Sequence, residues 1–264
     1  MVRHCQIDEA AGRRRALKCL VSLPIAGVPG IGKAADRVVQ PLRFVTIALP
    51  PFGMTENDVH GSPISGIYTE LVQRLAQEAG LPFTNTVLPY ARAVALIEAG
   101  EADAMISFAN QKLLSSAVQL EVAARLTIVA IGRAGEQIAS IESLRGKIVG
   151  MVREAEYDDR ISQDAAIVKA KLNNYEQGIA LLFARRVDAL IGVHEGIVYC
   201  LHAMGHHSDR LGVPLVLSER PAWLHYSRKR WNESRARSLV AALRNLHERN
   251  TPAEIVRKYL RMGK

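Results

Sequence analysis

The stretch Ala95–Ile106, ALIEAGEADAMI, returns later in the chain as Ala180–Ile191, ALLFARRVDALI. Six of the twelve positions are identical, among them Asp103 and Asp188, which we interpret as turn and strand-start residues. Each copy has the pattern of a helix end, a tight polar turn and a short buried strand. Helix–turn–strand units also resemble one another by chance. Two copies at wide spacing nevertheless predict two α/β lobes of similar build.

Polar residues follow both of these strands. Ser107 and Asn110 come after the first strand, and His194 and Glu195 come after the second. In open α/β sheets, ligands bind outside the carboxyl ends of the strands. Two lobes that face each other with those ends therefore predict one cleft between them.

Length, composition and charge limit the possible classes of protein. The chain has 264 residues, enough for one large or two small domains. It contains no run of about 18 uncharged apolar residues, so no membrane-spanning helix is predicted. The net charge is +8, but six of the 34 Lys and Arg residues lie within residues 1–34. The remaining charge is mild and scattered, which argues against nucleic-acid binding.

Residues 1–34 have the order of a secretory signal peptide. Three arginines at positions 13–15 precede a modest apolar run at 19–32, and Gly32 and Ala34 place small residues before a cleavage site. A disordered basic tail or a misassigned start codon are the alternatives. We expect export to the periplasm and a mature chain that begins near Ala35. Cys200 is then the only cysteine left, which excludes an internal disulfide.

Hydrophobic periodicity predicts an alternation of strands and helices. Strands are expected at 42–49, 83–88, 125–131, 148–152, 165–170, 189–193, 215–217 and 223–227, with a further one that opens at Asp103. Helices are expected at 68–79, 89–99, 175–185, 195–204, 234–247 and 252–260. Residues 107–120 are expected to be irregular.

From about Leu42 to Leu260, the order of motifs resembles a known family. The pieces are PPF at 50–52, GIYTEL at 66–71, GL at 80–81, PYARA at 89–93, GEADA at 100–104, SLRGK at 143–147, VG at 149–150 and RVDA at 186–189. The chain resembles the type II periplasmic solute-binding proteins. Within these, it is most similar to extracellular solute-binding family 3, which includes the polar amino-acid receptors of ABC importers.

This resemblance implies a two-lobed type II periplasmic-binding-protein fold of the α/β class with two hinge strands, at 125–131 and 223–227. Residues 42–127 and 224–264 would form lobe 1, and residues 128–223 lobe 2. It also implies a monomer that closes on a small polar solute, amino-acid-like or a small organic anion. The solute would pass to the membrane permease of an ABC importer, without a cofactor.

Two departures from the family pattern concern the ligand. Amino-acid receptors of this family carry an arginine after the third strand that grips the ligand carboxylate, but here KLLSS at 112–116 has none. They also carry an acid beyond the VDA strand that pairs with the ligand amine, and Val193 stands near that place. The usual clamp for an α-amino acid is therefore not reproduced.

Strand ends and the resemblance together select nine candidate ligand-binding residues. Each also has an ordinary structural role, such as packing, capping or an ion pair, and Arg92 has the planar fork that binds carboxylate or phosphate. The candidates are Phe52, Tyr90, Arg92, Ser107, Asn110, Arg153, Tyr157, His194 and Glu195.

Two other functions stay open. An enzyme on the same scaffold, such as a cyclohexadienyl-dehydratase-like lyase, needs a carboxylate general acid, for which Glu154, Glu156 and Glu195 are available. A ligand-binding module of a sensory system is the other alternative. His202, His206 and His207 are of the type that binds zinc, but Gly205 indicates a helix end, and no metal site is predicted.

The presequence pattern generates a first testable prediction. Protein isolated from a cell-envelope extract should begin near Ala35, because the signal peptidase recognises the small residues that precede it. N-terminal sequencing measures this. An intact Met1 on most of the folded protein would contradict the prediction.

Overall fold

The structure, a computed structural model, describes residues 40–55, 64–153, 155 and 157–262. The expected signal peptide at 1–34, together with Glu154 and Glu156, lies outside the described residues. The helices and strands follow one another as an α/β alternation, as the sequence pattern predicts.

The first part of the chain begins with a strand and contains two helices that follow strands directly. Its elements are β1 (Leu42–Ile47), β2 (Met54–Thr55), β3 (Ile64–Ser65), α1 (Ile67–Glu78), β4 (Phe83–Leu88), α2 (Tyr90–Ala99), β5 (Ala104–Phe108) and α3 (Gln111–Ser116). The apolar stripe of α1 is buried, including Leu71, Val72, Leu75 and Ala76.

The second part contains the two longest strands. Its elements are β6 (Ala117–Ile131), β7 (Ile148–Val152), α4 (Asp159–Gln163), β8 (Val168–Leu172), α5 (Tyr175–Phe183), β9 (Ala189–Val193), α6 (His194–Ala203), β10 (Leu215–Ser227), α7 (Glu233–Glu248) and α8 (Thr251–Met262). Short 3₁₀ turns lie at Glu142–Leu144, Ser208–Arg210 and Arg228–Arg230.

Eight strands form one hydrogen-bonded sheet in the order β4-β1-β5-β10-β6-β9-β7-β8. The strands β4, β1 and β5 are parallel, and so are β9, β7 and β8. The long strands β10 and β6 lie between these groups and run antiparallel to their neighbours. Two parallel groups joined by two shared strands are the two-lobed arrangement with two hinge strands that the sequence predicts.

Strand pairing locates where the chain crosses between the groups. The segment Ala222–Tyr226 of β10 pairs with β5, and Ile128–Ile131 of β6 pairs with β9. Between them, Arg125–Thr127 pairs only with Glu219–Pro221. On β6 the crossing covers only the first three residues of the expected hinge at 125–131. On β10 it lies at 219–221, before the expected hinge at 223–227, because residues 223–226 already pair with β5. The exact lobe boundaries stay a prediction.

Two sequence expectations about local structure were wrong. Residues 215–227 form one strand instead of two, because β10 has a neighbour on only one side at Pro221, where a missing N–H is tolerated. Residues 107–120 are not irregular throughout. The Asn110 side chain accepts a hydrogen bond from Leu113 N at 2.9 Å and so caps the short helix α3, after which β6 begins at Ala117.

The repeated aspartates hold the same place in both groups. Asp103 N donates to Arg43 O at 2.8 Å, and the Asp103 carboxylate accepts from Arg43 N at 2.8 Å. Asp188 N donates to Ile148 O at 2.7 Å, and its carboxylate accepts from Ile148 N at 2.8 Å. Each aspartate thus joins the start of its own strand to the start of the neighbouring parallel strand by two bonds.

The first of these aspartates is the more deeply buried. Asp103 is 1% exposed, and its carboxylate also accepts hydrogen bonds from the guanidinium groups of Arg43 and Arg230. Burial acts to raise the pKa of Asp103, but the hydrogen bonds from the two arginines outweigh it together, and the pKa is lowered. Asp103 is therefore ionised in the folded state at neutral pH.

Asp103→Asn should lower the free energy of unfolding by about 1.5–3 kcal/mol at pH 7, the range for hydrogen bonds to a charged group. The lowered pKa means that ionised Asp103 stabilises the fold above about pH 4 and that this contribution is lost at lower pH. The difference from wild type should therefore shrink in acid. Urea denaturation at several pH values measures it.

Asp188→Asn is the matched control, because the amide oxygen still accepts from Ile148 N and no arginine in the described residues bonds to Asp188. Its expected cost is therefore no more than that of one ordinary hydrogen bond, about 0.5–1.5 kcal/mol. Equal losses at the two positions would show that the arginines at Asp103 contribute nothing.

Candidate functional site

A cavity of about 280 Å³ lies at the carboxyl ends of β1, β5, β7 and β9. Both strand groups contribute to its wall, as expected for a cleft between two lobes. The first group contributes Ile47, Ala48, Leu49, Phe52, Tyr68, Pro89, Tyr90, Ala91, Ser107, Phe108, Ala109 and Asn110. The second group contributes Val152, Arg153, Ala155, Tyr157, Asn173, Tyr175 and Val193.

The loop after β1 brings an aromatic pair to the cavity. Phe52 is 1% exposed and packs on Tyr68, the second residue of α1, with ring centroids 5.0 Å apart. Burial, and second the charge of Glu195, raise the pKa of Tyr68 well above its ordinary value. The Tyr68 phenol is therefore neutral at physiological pH.

Tyr90 is held in place by Asn110. Asn110 Nδ2 donates to Tyr90 Oη at 2.6 Å, while Asn110 Oδ1 caps α3. The start of α2 and the start of α3 are thus tied together at the cavity wall. Asn110 therefore has a structural role at the cavity wall that is independent of any ligand.

A buried histidine stands behind Ser107. His225 Nε2 lies 3.2 Å from Ser107 O, and His225 is 0% exposed. A bond from Nε2–H to this carbonyl places the proton of the neutral ring on Nε2. Burial lowers the pKa of His225 to about 4, although the bond to Ser107 acts in the opposite direction.

On the opposite wall, two tyrosines share a hydrogen bond. Tyr157 Oη and Tyr175 Oη are 2.9 Å apart, and Tyr175 Oη also accepts from Val193 N at 2.9 Å. Burial raises the pKa of Tyr157 to about 12 and that of Tyr175 well above its ordinary value. Both phenols are neutral hydrogen-bonding groups at physiological pH.

Two glycines make room for Tyr175. A Cβ on Gly192 would lie 2.4 Å from Tyr175 Cε1, and a Cβ on Gly196 would lie 2.5 Å from Cε2. Real Cβ atoms do not approach that closely, so any other residue at either position would displace the ring. The Tyr175 ring is therefore fixed between β9 and α6.

The loop of the first group also touches α6 of the second. Tyr199 Oη lies 3.3 Å from Met54 Sδ, and Cys200 Sγ lies 3.7 Å from Pro50 O. Cys200 Sγ also lies 3.2 Å from Glu176 Oε1, and burial raises the pKa of the thiol. The buried, protonated thiol thus belongs to the packing between the two groups.

Arg220 stands where β10 crosses between the groups. Its guanidinium carbon lies 5.0 Å from the centre of the Phe108 ring, and Nη2 lies 3.4 Å from Ala109 O. Its charge also acts on Tyr157, where it lowers the pKa against the larger effect of burial. The positive charge of Arg220 is therefore felt from both walls of the cavity.

The structure brings six of the nine predicted residues to the cavity wall, namely Phe52, Tyr90, Ser107, Asn110, Arg153 and Tyr157. The other three do not line it. Arg92 is exposed on α2, and His194 and Glu195 are half-buried at the start of α6. Burial lowers the pKa of His194 and raises that of Glu195. The role of all nine in ligand binding stays a prediction.

Sequence reasoning missed several lining residues. Tyr68 and Tyr175 begin two predicted helices, and nothing in the sequence around them indicated a cavity. Asn173 and Phe108 adjoin strand ends, and that position was the available signal for both. Within the described ranges, no group of three or more His, Cys, Asp or Glu residues could hold a metal ion. No helix among the residues described is long and apolar enough to cross a membrane.

Comparison with protein-family models gave no match, and comparison with the sequences of curated proteins gave none either. Solved structures do match. The GluR0 ligand-binding core in complex with L-glutamate superposes with a TM-score of 0.70 and 16% sequence identity, over 84% of this chain and 99% of that chain.

Two further structures are similar to the same extent. The VFT2 domain of BvgS from Bordetella pertussis, as a double mutant, has a TM-score of 0.69 and 17% identity, over 83% of this chain and 92% of its own. A substrate-binding protein of an amino acid ABC transporter has a TM-score of 0.67 and 14% identity, over 83% of this chain and 98% of its own. The chain therefore has the two-lobed fold of the type II periplasmic binding proteins, which confirms the fold that the sequence predicts.

The buried histidine behind the cavity generates a pH prediction. An unfolded histidine titrates near 6.5, so between about pH 6.5 and pH 4 the unfolded chain binds a proton that His225 in the fold does not. Stability should therefore fall as the pH falls through this window. From pH 7 to pH 5, wild type should lose about 1–2 kcal/mol more than His225→Gln in urea denaturation.

The readout is the slope of stability against pH, so a constant loss in the variant does not affect it. The same slope in His225→Gln and wild type would show that His225 does not titrate as its burial predicts.

Proposed function

We propose that this protein is a periplasmic solute-binding receptor that closes on a small solute and delivers it to the permease of an ABC importer. The observation that carries the proposal is the cavity whose walls come from both strand groups. A ligand in such a place contacts both lobes at once. It favours the closed form by the difference between its affinities for the closed and open states.

The crossing strands supply the mobile element. Only Arg125–Thr127 and Glu219–Pro221 join the two groups within the sheet, so rotation there changes few pairings on either side. Hinges of this kind need only a few residues that absorb the change in backbone angles. The contacts of α6 with Met54 and Pro50 are a second connection between the two groups, outside the sheet.

Solved structures of the same fold support a binding function. They include a ligand-binding core with L-glutamate and a substrate-binding protein of an amino acid ABC transporter. The presequence pattern supports export, as a receptor that serves an importer requires. The importer is proposed as the partner because of this structural similarity. A fold alone does not determine function, so the partner needs its own test.

The enzyme alternative gains no support from the cavity. Glu195 has a raised pKa, as a general acid needs, but it does not line the cavity. Glu154 and Glu156 lie outside the described residues. A sensory module would use the same closure on a solute, and the two uses differ only in the protein that recognises the closed form.

The proposal predicts ligand-driven closure. A thermal-shift screen over amino acids, polyamines, dicarboxylates and aromatic acids should give a solute that stabilises the fold by about 2.7 kcal/mol at a hundredfold excess over Kd. The same solute should reduce the radius of gyration in small-angle X-ray scattering. Stabilisation without compaction would contradict closure, and turnover of the solute would replace the receptor with an enzyme.

Variants on both walls test whether one site is shared. Tyr90→Ala on the first wall and Arg153→Ala on the second should each weaken binding of that solute at least tenfold. Arg92→Ala tests the sequence prediction for a residue outside the cavity wall. A loss with Arg92→Ala but not with Tyr90→Ala would move the site out of the cavity.

A further inference from the structure

The wall of the cavity is dominated by apolar and aromatic side chains. The aliphatic part comes from Ile47, Leu49, Val152 and Val193, and the rings come from Phe52, Tyr68, Tyr90, Phe108, Tyr157 and Tyr175. A wall of this kind favours a ligand with an apolar body, because burying apolar surface is its main source of free energy. The volume of about 280 Å³ limits that body to roughly one ring or a short branched chain.

The described part of the wall contains no aspartate or glutamate. Val193 closes the end of β9, and the residues that follow, His194 and Glu195, do not line the cavity. Glu195 Oε2 is buried, and the charge of Glu195 acts on the wall residue Tyr68, but the carboxylate itself does not line the cavity. An ammonium group in the cavity would lose its hydration and find no carboxylate among these wall residues, which is costly.

The charged side chain in the described part of the cavity wall is positive. Arg153 lines it, and within the part of the chain that the structure describes its guanidinium has no ion-pair partner. Arg220 stands over Phe108, a wall residue, and acts electrostatically on Tyr157, another. An arginine that faces a cavity is suited to bind a carboxylate by two parallel hydrogen bonds.

The phenols complete this polar set. Tyr157 and Tyr175 are neutral and hydrogen-bonded to each other, and Tyr175 Oη accepts a second hydrogen bond from Val193 N. Phenolic hydroxyls donate well to a carboxylate, whereas they cannot compensate a positive charge as an anionic group does. The polar groups and the charges of the wall therefore both favour an anion.

We propose that the cavity binds a small monocarboxylic acid with an aromatic or branched aliphatic body and no amine. This inference rests on the proposed function, because it names the solute on which the receptor closes. The apolar body lies among the rings, and the carboxylate lies toward Arg153. Polar α-amino acids fit less well, because their ammonium group has no acidic partner in the described wall.

The rings admit one rival ligand. Aromatic side chains also form cages around quaternary ammonium groups. In this cavity, however, the Tyr175 ring is enclosed between Gly192 and Gly196, and the Phe52 and Tyr68 rings pack on each other. Two arginines nearby would further repel a cation. A quaternary ammonium ligand therefore fits this cavity less well than an anion.

Matched pairs of probes test the proposal by isothermal titration calorimetry with the purified protein. The pair 3-phenylpropanoate and L-phenylalanine differs only by the amine, as does the pair 4-methylpentanoate and L-leucine. The acid of at least one pair should bind at least tenfold more tightly than its amino acid. The amine 2-phenylethylammonium, which lacks the carboxylate, should show no binding.

Arg153→Gln should weaken binding of that acid at least tenfold, because the neutral glutamine amide still donates hydrogen bonds but lacks the positive charge. Arg186→Gln is the control: it removes an exposed arginine before β9, at the strand end away from the cavity, and should leave the affinity unchanged. Arg153 is itself exposed, so its loss should not affect folding. Equal effects of the two variants would overturn the assignment of Arg153.

Three further results would overturn the proposal. The first is that an amino acid binds more tightly than the matching acid. The second is binding of choline or glycine betaine. The third is that neither acid binds. Failure of the proposed function is distinguishable from these results. If L-glutamate, L-arginine or another solute binds and compacts the protein in scattering, the receptor function stands and only the ligand class is wrong. If Glu154→Gln or Glu156→Gln abolishes that binding, a carboxylate outside the described residues holds the amine.

Discussion

The two-bond contact between each repeated aspartate and the neighbouring parallel strand is the constraint on which the architecture depends. Asp103 fixes β5 against β1, and Asp188 fixes β9 against β7, each at the amino end of the strand. Since β1 and β5, like β7 and β9, run parallel, fixing their starts also aligns their carboxyl ends. The cavity lies at those carboxyl ends. The repeated stretch thus sets the geometry of the site from the opposite side of each group.

Different arginines hold the turn before β5 in the first group and the turn before β9 in the second. In the first group, the turn before β5 is held by Arg43, which donates to Gly100 O, and Arg43 and Arg230 neutralise the buried Asp103. In the second, Arg133 holds the corresponding turn by donating to Leu182 O and Val187 O, and Asp188 stays partly exposed. Gly100 and Arg185 are equivalent positions of the repeat, and both have positive φ, 75° and 57°. The conformation of the turn is therefore shared although only one copy has the residue that adopts it at low cost.

Much of the fold could be predicted from the sequence, and the site only in part. Strands such as Phe83–Leu88 and Ala189–Val193 were predicted with their observed bounds, because their apolar runs are bounded by turns or helix starts. The continuity of β10 through Pro221 was not predicted. Proline is tolerated there because β10 has a neighbour on only one side at that point, and the sequence does not show this. The ring of Tyr175 was missed for a related reason. Its position follows from close contact with Gly192 and Gly196, and no local pattern shows that three distant residues meet.

The position of Arg220 connects the architecture to the proposed mechanism. It lies on the crossing segment of β10, so its contacts with Phe108 and Ala109 tie it to the first wall while its charge reaches Tyr157 on the second. In the proposed mechanism, opening of the cleft would separate the two walls and carry that charge away from one of them. An anion between the walls would then be stabilised more in the closed form than in the open form, and only such a difference can drive closure. A neutral or cationic solute would gain nothing from Arg220 and would have to close the cleft by packing alone.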